Sequence, residues 1–296
     1  MIYTLGCSFT KWYWPTWSDW LAAYSDEQVT NWAYPGHTNQ VIYYTLLERM
    51  SQLTANDTVY IMWTGNNRCC EWYDQTWINQ HDCQGFFPKT DGKLWFSSDL
   101  PGQGFYKTHP DYQPSLTEMI VSNFTIIFNT QLLLDRIGCK YHMMFWQNPW
   151  LDTREQHRPV YARSWPTKDH ISNSEKEFAQ YILTIPPVLQ LLKQINWAHF
   201  IAAPNDITNP LDYSGIWEFM LSSKELVAQN HVTDPHPNTL AHHDWVAQRI
   251  LCQDPIHRAQ ALALSESARN MLVPEWSAEE AIIGANLILN QYPFGH

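Results

Sequence analysis

The sequence predicts an α/β protein, a three-layer α/β/α sandwich with a mainly parallel five-stranded sheet and a C-terminal helical extension. Short apolar segments alternate with segments of helical periodicity over the first 64 residues, which is typical of parallel strands joined by crossover helices. Turn residues follow the strand-like segments, at Gly6 and at Pro35-Gly36. The 296 residues are enough for one large domain of this class.

The first half of the sheet follows from apolar spacing. Residues 2–6 form a short apolar run that ends at glycine, which predicts a buried strand and a turn. Residues 17–24 repeat aromatic and aliphatic side chains at helical spacing, and residues 39–53 do the same after a second strand at 29–33. Residues 58–64 are β-branched and aromatic, which favours a third strand.

The remaining elements follow in order. The sequence predicts a helix over 115–137 that ends at Gly138, a strand over 141–146, a helix over 175–194 kinked at Pro186-Pro187, a fifth strand over 197–202, and helices on both sides of 233–238. Two irregular stretches, 69–113 and 148–173, interrupt this rhythm and are expected to be functional loop insertions. We expect a domain over residues 1–255 and a helical extension over residues 256–296.

Charge and composition exclude some partners. The net charge of −11 argues against nucleic acid, because phosphate binding needs clustered Lys and Arg. The apolar runs are too short to span a bilayer, and no signal peptide is visible at the start. The six cysteines lack zinc-binding spacing and are expected to be free thiols in a reducing compartment. No metal site is expected.

Sixteen tryptophans are unusual at this length. Most are expected to pack in the core, since aromatic side chains bury large areas. Four at expected loop positions have an alternative interpretation as a flat wall for stacking sugar rings: Trp12, Trp14, Trp72 and Trp150.

One serine and one Asp-Pro-His segment could carry chemistry. Ser8 follows the first strand, where ligands bind in parallel sheets, although a serine there is more often a helix cap. Asp234 and His236 lie in a stretch whose two prolines restrict the backbone, and a carboxylate that orients an imidazole needs such fixed geometry. The alternative is that Asp234 and Asn238 cap a helix and His236 is a surface residue.

Four segments, in order along the chain, resemble the sequence blocks of the SGNH (GDSL-type) hydrolases. Residues 6–10 (GCSFT) resemble the first block, in a form similar to phage-encoded SGNH-like proteins. Residues 31–39 (NWAYPGHTN) resemble the second, 65–67 (GNN) the third, and 234–242 (DPHPNTLAH) the fifth. The resemblance covers the chain to about residue 252 and implies the strand order 2-1-3-4-5.

The resemblance implies a role for each matched residue. Ser8 would attack an ester carbonyl, His236 would act as general base, and Asp234 would fix the imidazole tautomer. The backbone N–H groups of Ser8 and Gly36 and the side-chain amide of Asn67 would form the oxyanion hole. No cofactor is implied.

The chain departs from the family pattern at three positions. Cys7 stands where an Asp is usual, and Asp234 precedes His236 by two positions rather than three. Arg68 stands where Asp is common, so we expect it to bind substrate, together with Trp12 and Trp72. Asn66 is an alternative oxyanion donor.

The sequence therefore predicts a serine esterase that removes acyl groups, with O-acetyl groups of a carbohydrate as the leading substrate and an acylated small molecule or glycan as the partner. The rivals are an O-acyltransferase on a glycan and a non-catalytic glycan-binding or virion structural protein. The expected location is cytoplasmic or virion-associated.

Overall fold

A computed structural model describes most of the chain. The residues that it describes are 1–12, 14–66, 70–72, 94–96, 116–150, 173–221, 236–255 and 257–271. Most of the two predicted loop insertions, and the end of the predicted extension, lie outside this described part.

Among the described residues, the main sheet has four parallel strands. The described strands are, in chain order, β1 (Ile2–Leu5), β2 (Val29–Asn31), β3 (Thr58–Trp63), β4 (Cys70–Trp72), β5 (Leu94–Phe96) and β6 (Lys140–Phe145). Their order in the main sheet is β2-β1-β3-β6, and each neighbouring pair is parallel. Strands β4 and β5 form a separate antiparallel pair. Because all four main strands run the same way, their carboxyl ends meet at one edge.

Helices follow the strands along the chain. They are α1 (Trp17–Tyr24), α2 (Asn39–Arg49), α3 (Leu116–Ile137), α4 (Asn173–Thr184), α5 (Pro186–Gln194), α6 (Ile216–Leu221), α7 (Thr239–Trp245) and α8 (Arg258–Met271). Helix α1 begins with a capping box, in which the Thr16 backbone N–H donates to the Asp19 carboxylate at 2.8 Å. Helix α3 ends at Gly138, whose φ of +80° favours glycine. Among the described residues, no helix is both long enough and apolar enough to cross a membrane.

Both faces of the sheet are buried, because alternate strand residues point to opposite sides. On one side, which we call the α3 face, Leu5, Ile61 and Met143 pack against helices α2 to α5. On the other side, the α7 face, Met62 and Met144 pack against helices α1, α6, α7 and α8. The arrangement is an α/β fold compatible with three α/β/α layers.

Two predicted elements differ in the structure. The predicted helix over 175–194 is interrupted: Ile185 is extended (φ −74°, ψ 113°) and separates α4 from α5, because a residue before proline is displaced from the helical region. The predicted fifth strand at 197–202 begins instead as a 3₁₀ helix, Trp197–His199, capped by Asn196. Beyond it, Phe200 forms an isolated parallel bridge with Met143.

Helix α8 packs on the α7 face. Ala261 and Leu264 are fully buried there. At the start of the helix, Arg258 Nε donates to the Asp244 carboxylate at 3.2 Å. The part of the predicted C-terminal extension that is described is therefore packed against α7.

Candidate active site

A tight turn after β1 holds Ser8. The backbone N–H groups of Thr10 and Lys11 both donate to the Cys7 carbonyl, at 2.9 and 3.1 Å. A Cβ atom at Gly6 would lie 2.0 Å from Thr10 Oγ1, so only glycine lets the turn close on itself. Ser8 is 4% exposed at the carboxyl end of its strand, the edge at which parallel sheets bind ligands.

Two asparagines of the second block fix this edge. The Asn31 amide donates to the Thr10 carbonyl at 2.9 Å, and its oxygen accepts from the Ala33 N–H at 2.9 Å. The Asn39 side chain donates to the Thr64 carbonyl at 3.0 Å and accepts from the Thr64 N–H at 2.7 Å. The loops after β1, β2 and β3 are thereby held to one another.

The imidazole of His236 lies beside Ser8. His236 Nε2 is 2.7 Å from Ser8 Oγ, across a separation of 228 positions. The length is that of a hydrogen bond between the hydroxyl and the ring nitrogen. A hydroxyl so paired with an imidazole can transfer its proton as it attacks an electrophile.

Aromatic rings surround the imidazole. The Trp12 indole stacks on it, with centroids 3.9 Å apart and planes 20° apart. The Phe9 ring lies 4.8 Å away at 40°, and the Trp14 ring meets it edge-on at 6.4 Å. These three rings come from the segment that directly follows Ser8. The segment of the Ser8 turn therefore also provides packing for the imidazole.

The backbone beside His236 is fixed at two points. Trp14 Nε1 donates to the Pro237 carbonyl at 2.8 Å in a buried hydrogen bond. Asn238 is the N-cap of α7, and its side chain accepts from the Ala241 N–H at 2.8 Å. The capping role that was the alternative for Asn238 is thus present together with the Ser8–His236 contact.

A second histidine lies behind the first. His242 on α7 is 0% exposed, and among the described residues neither of its ring nitrogens has a hydrogen-bond partner. Burial, and to a lesser degree the charge of His236, lowers the pKa of His242 to about 3. His242 is therefore neutral at ordinary pH.

The neighbouring His243 is engaged elsewhere. Its Nε2 lies 2.8 Å from the Tyr24 hydroxyl, and its Nδ1 lies 2.8 Å from Asp244 Oδ1. Within the described part of the chain, no group of three His, Cys, Asp or Glu side chains could hold a metal ion.

The predicted oxyanion and substrate residues are only partly described. Gly36 has φ +83°, and a Cβ atom added there would meet nothing within 4 Å, so its backbone conformation is what favours glycine. The side-chain amide of Asn66, the alternative oxyanion donor, donates to the Pro149 carbonyl at 2.6 Å. This hydrogen bond holds the chain that follows β6. Trp72 lies on β4. Outside the described residues lie Asp234, Asn67 and Arg68.

The alternative interpretation of four tryptophans as a sugar-stacking wall is wrong for Trp14 and Trp150, which pack in the core as most of the tryptophans were expected to do. Trp14 and Trp150 are each 1% exposed and belong to the two cores. Trp150 packs against the rings of Phe124 and Tyr213, at 5.2 and 5.6 Å, and Trp14 donates its indole N–H to the Pro237 carbonyl at 2.8 Å. One ring face of Trp12 lies against His236.

Sequence reasoning missed the contacts of Phe9, Trp12 and Trp14 with His236 and Pro237. The presence of three aromatic residues soon after Ser8 was a signal of packing. The sequence did not indicate a contact with His236, because that contact depends on how α7 packs against the sheet. No protein-family model matches this chain, and no curated protein matches it.

Proposed function

We propose that this protein is a serine-dependent ester hydrolase of the SGNH type. The observation that carries the proposal is the 2.7 Å separation of Ser8 Oγ and His236 Nε2 at the carboxyl edge of the sheet. A chance contact between a serine and a histidine carries little weight alone. Here the serine sits on a tight turn at the ligand-binding edge of a parallel sheet, and both residues fall in segments that resemble the family's blocks.

The proposed reaction has two halves. Ser8 Oγ attacks the ester carbonyl carbon while His236 Nε2 takes the hydroxyl proton, and the proton then passes to the departing alcohol as the C–O bond breaks. Water hydrolyses the acyl-serine with the same base. By the family resemblance, Asp234 orients the imidazole, and the N–H groups of Ser8 and Gly36 and the Asn67 amide stabilise the oxyanion. Each such donor contributes about 2.7–4 kcal/mol to transition-state stabilisation.

The finer fold assignment belongs to the same proposal. The order β2-β1-β3-β6 agrees with the first four positions of a 2-1-3-4-5 sheet. The bridge between Met143 and Phe200 lies at the place where a fifth strand would pair. We propose that residues 197–202 occupy that fifth position in reduced form.

The proposed substrate class is an O-acetylated carbohydrate, by analogy with the family. Release of acetate from acetylated glycans, compared with release from acetylated amino alcohols and simple alkyl acetates, tests this choice. A preference of at least about tenfold in kcat/KM for the sugar esters supports it. Equal rates, or a preference for the alkyl esters, would contradict the carbohydrate assignment and leave the esterase assignment standing.

The esterase activity itself is tested with 4-nitrophenyl acetate. We expect turnover by the wild type and a loss of at least about a thousandfold in Ser8→Ala. The matched control is Ser51→Ala, since Ser51 is an exposed serine in the 3₁₀ helix Met50–Gln52, and it should retain full activity. Equal activity of Ser8→Ala and the wild type would overturn the proposal.

A further inference from the structure

The segment that presents the nucleophile also contacts the base. We propose that Trp12 is a positioning residue for His236: its indole face holds the imidazole with Nε2 towards Ser8 and stabilises the imidazolium that forms during the reaction. This inference rests on the proposed function. It concerns a residue that the sequence assigned to substrate stacking.

The geometry of the stack fits this role. Trp12 and His236 lie nearly parallel, 20° apart, at a centroid distance of 3.9 Å. Ring nitrogens lie on the rim of an imidazole, so face-to-face stacking constrains the plane of the ring and leaves Nε2 able to meet Ser8 Oγ at 2.7 Å. A stack therefore restricts rotation of the imidazole without competing for its proton.

The chemistry of the ring gives the second part of the proposal. The face of an indole is negative, and a cation within about 6 Å of the centroid is attracted to it. His236 gains a positive charge when it takes the Ser8 proton, so the attraction is stronger in the transition state than before the reaction. An interaction that strengthens in this way raises the rate of the chemical step.

Neighbouring groups affect the same imidazole. Trp14 holds the backbone through the Pro237 carbonyl at 2.8 Å, so the stack acts on a ring whose main chain is already fixed. Phe9 lies at 4.8 Å from the imidazole. His242 is the titratable neighbour on α7, and with a pKa of about 3 it is neutral throughout an assay between about pH 5 and pH 9. It therefore adds no titration of its own to that range.

The test is the pH profile of kcat/KM for 4-nitrophenyl acetate in Trp12→Leu and Trp12→Phe. Leucine keeps an apolar side chain and removes the negative ring face, whereas phenylalanine keeps a weaker one. For Trp12→Leu we expect a plateau about three- to tenfold lower and an acidic midpoint about half a pH unit lower. Trp12→Phe should fall between Trp12→Leu and the wild type on both measures. A change in KM alone, with kcat and the midpoint unchanged, would assign Trp12 to substrate stacking and overturn the proposal.

A double-mutant cycle separates positioning from a general structural role. If Trp12 acts through His236, adding Trp12→Leu to His236→Ala should lower the residual rate by less than about twofold. A loss in the double variant equal to the product of the two single losses would contradict the proposal. The control is Trp197→Leu, since Trp197 is half-buried on the α3 face and donates to the Leu192 carbonyl; its profile should keep the wild-type midpoint.

These experiments distinguish a failure of the Trp12 inference from a failure of the proposed esterase function. A wild type that hydrolyses no ester and takes up no fluorophosphonate refutes the esterase proposal. A wild type that reacts through Ser8, with Trp12 variants that match it in plateau and midpoint, refutes the role of Trp12 alone. Trp12→Phe and Trp12→Tyr keep the ring, so the series remains decisive even where Trp12→Leu fails to fold.

Discussion

The two faces of the sheet differ in what they bury. The α3 face packs mainly aliphatic and aromatic side chains from four helices, and its described residues include neither the Ser8 turn nor His236. The α7 face carries the Ser8 turn and the partly exposed His236, and it buries His242, His243 and Asp244 under helices α1, α6, α7 and α8. Under the proposed function, the α7 face carries the chemistry and the α3 face supports the sheet. Changes on the two faces should therefore separate stability from activity.

The largest difference between the effect on activity and the effect on stability is expected at His236. His236→Ala should lower kcat/KM for 4-nitrophenyl acetate by at least about a thousandfold, because Ser8 loses its proton acceptor. The midpoint of thermal unfolding should change by only a few degrees, since the imidazole is partly exposed. If a folded His236→Ala protein kept its activity, the proposed placement of the chemistry on the α7 face would be contradicted.

In the core of the α3 face, a substitution should lower stability and leave activity unchanged. Leu46 is fully buried, and Leu46→Ala should lower the free energy of unfolding by about 2–5 kcal/mol through loss of packing and a new cavity. At a temperature where the variant stays folded, its kcat/KM should equal that of the wild type. Leu132→Ala is the control, because Leu132 is 52% exposed on α3 and should cost less than about 0.5 kcal/mol. Urea unfolding measures both.

Buried His242 should make the α7 face sensitive to acid. In the folded protein it stays neutral to about pH 3, whereas in the unfolded chain it takes a proton below about pH 6.5. The unfolded state thus binds more protons, and the free energy of unfolding falls as the pH drops from about 6.5 towards 3. His242→Leu should reduce the loss between about pH 7 and pH 4.5 by about 2 kcal/mol. An unchanged pH dependence in this variant would contradict the account of His242.

The smallest effect is expected where α8 joins α7. Arg258 is 38% exposed and pairs with the buried Asp244 at 3.2 Å. Because water screens the arginine, Arg258→Gln should lower the free energy of unfolding by about 1 kcal/mol or less. Arg136→Gln, on the exposed side of α3, should have no measurable effect in the same urea titration. A larger loss in the Arg136 variant than in the Arg258 variant would show that α8 is held by other contacts.

The sequence predicted more of the sheet than of the candidate site. Strands β1, β2, β3 and β6 and the long helix α3 were predictable, because their apolar periods and glycine ends are local properties. The break at Ile185 was predicted only as a kink, since two prolines make either outcome possible until packing decides. The 3₁₀ helix Trp197–His199 could not be predicted, because Asn196 caps it within a segment whose composition favours a strand.

The site was predictable only where a short motif carried it. Ser8 and His236 were selected by their segments, and their contact across 228 positions depends on the fold. The stacking of Trp12 on the imidazole depends on the same long-range contact. The position of Trp12 in the sequence therefore indicated only an aromatic-rich segment. Burial of Trp14 and Trp150 likewise reflects tertiary packing, which composition does not determine.

The central claim is that Ser8 is a nucleophile activated by His236, and covalent labelling tests it most directly. A fluorophosphonate probe should modify the intact protein once, and peptide mass spectrometry should place the adduct on Ser8. The labelling should disappear in Ser8→Ala and slow by at least about a hundredfold in His236→Ala, with Ser51→Ala unaffected. An unlabelled wild type, or an adduct on another residue that survives in Ser8→Ala, would contradict the account.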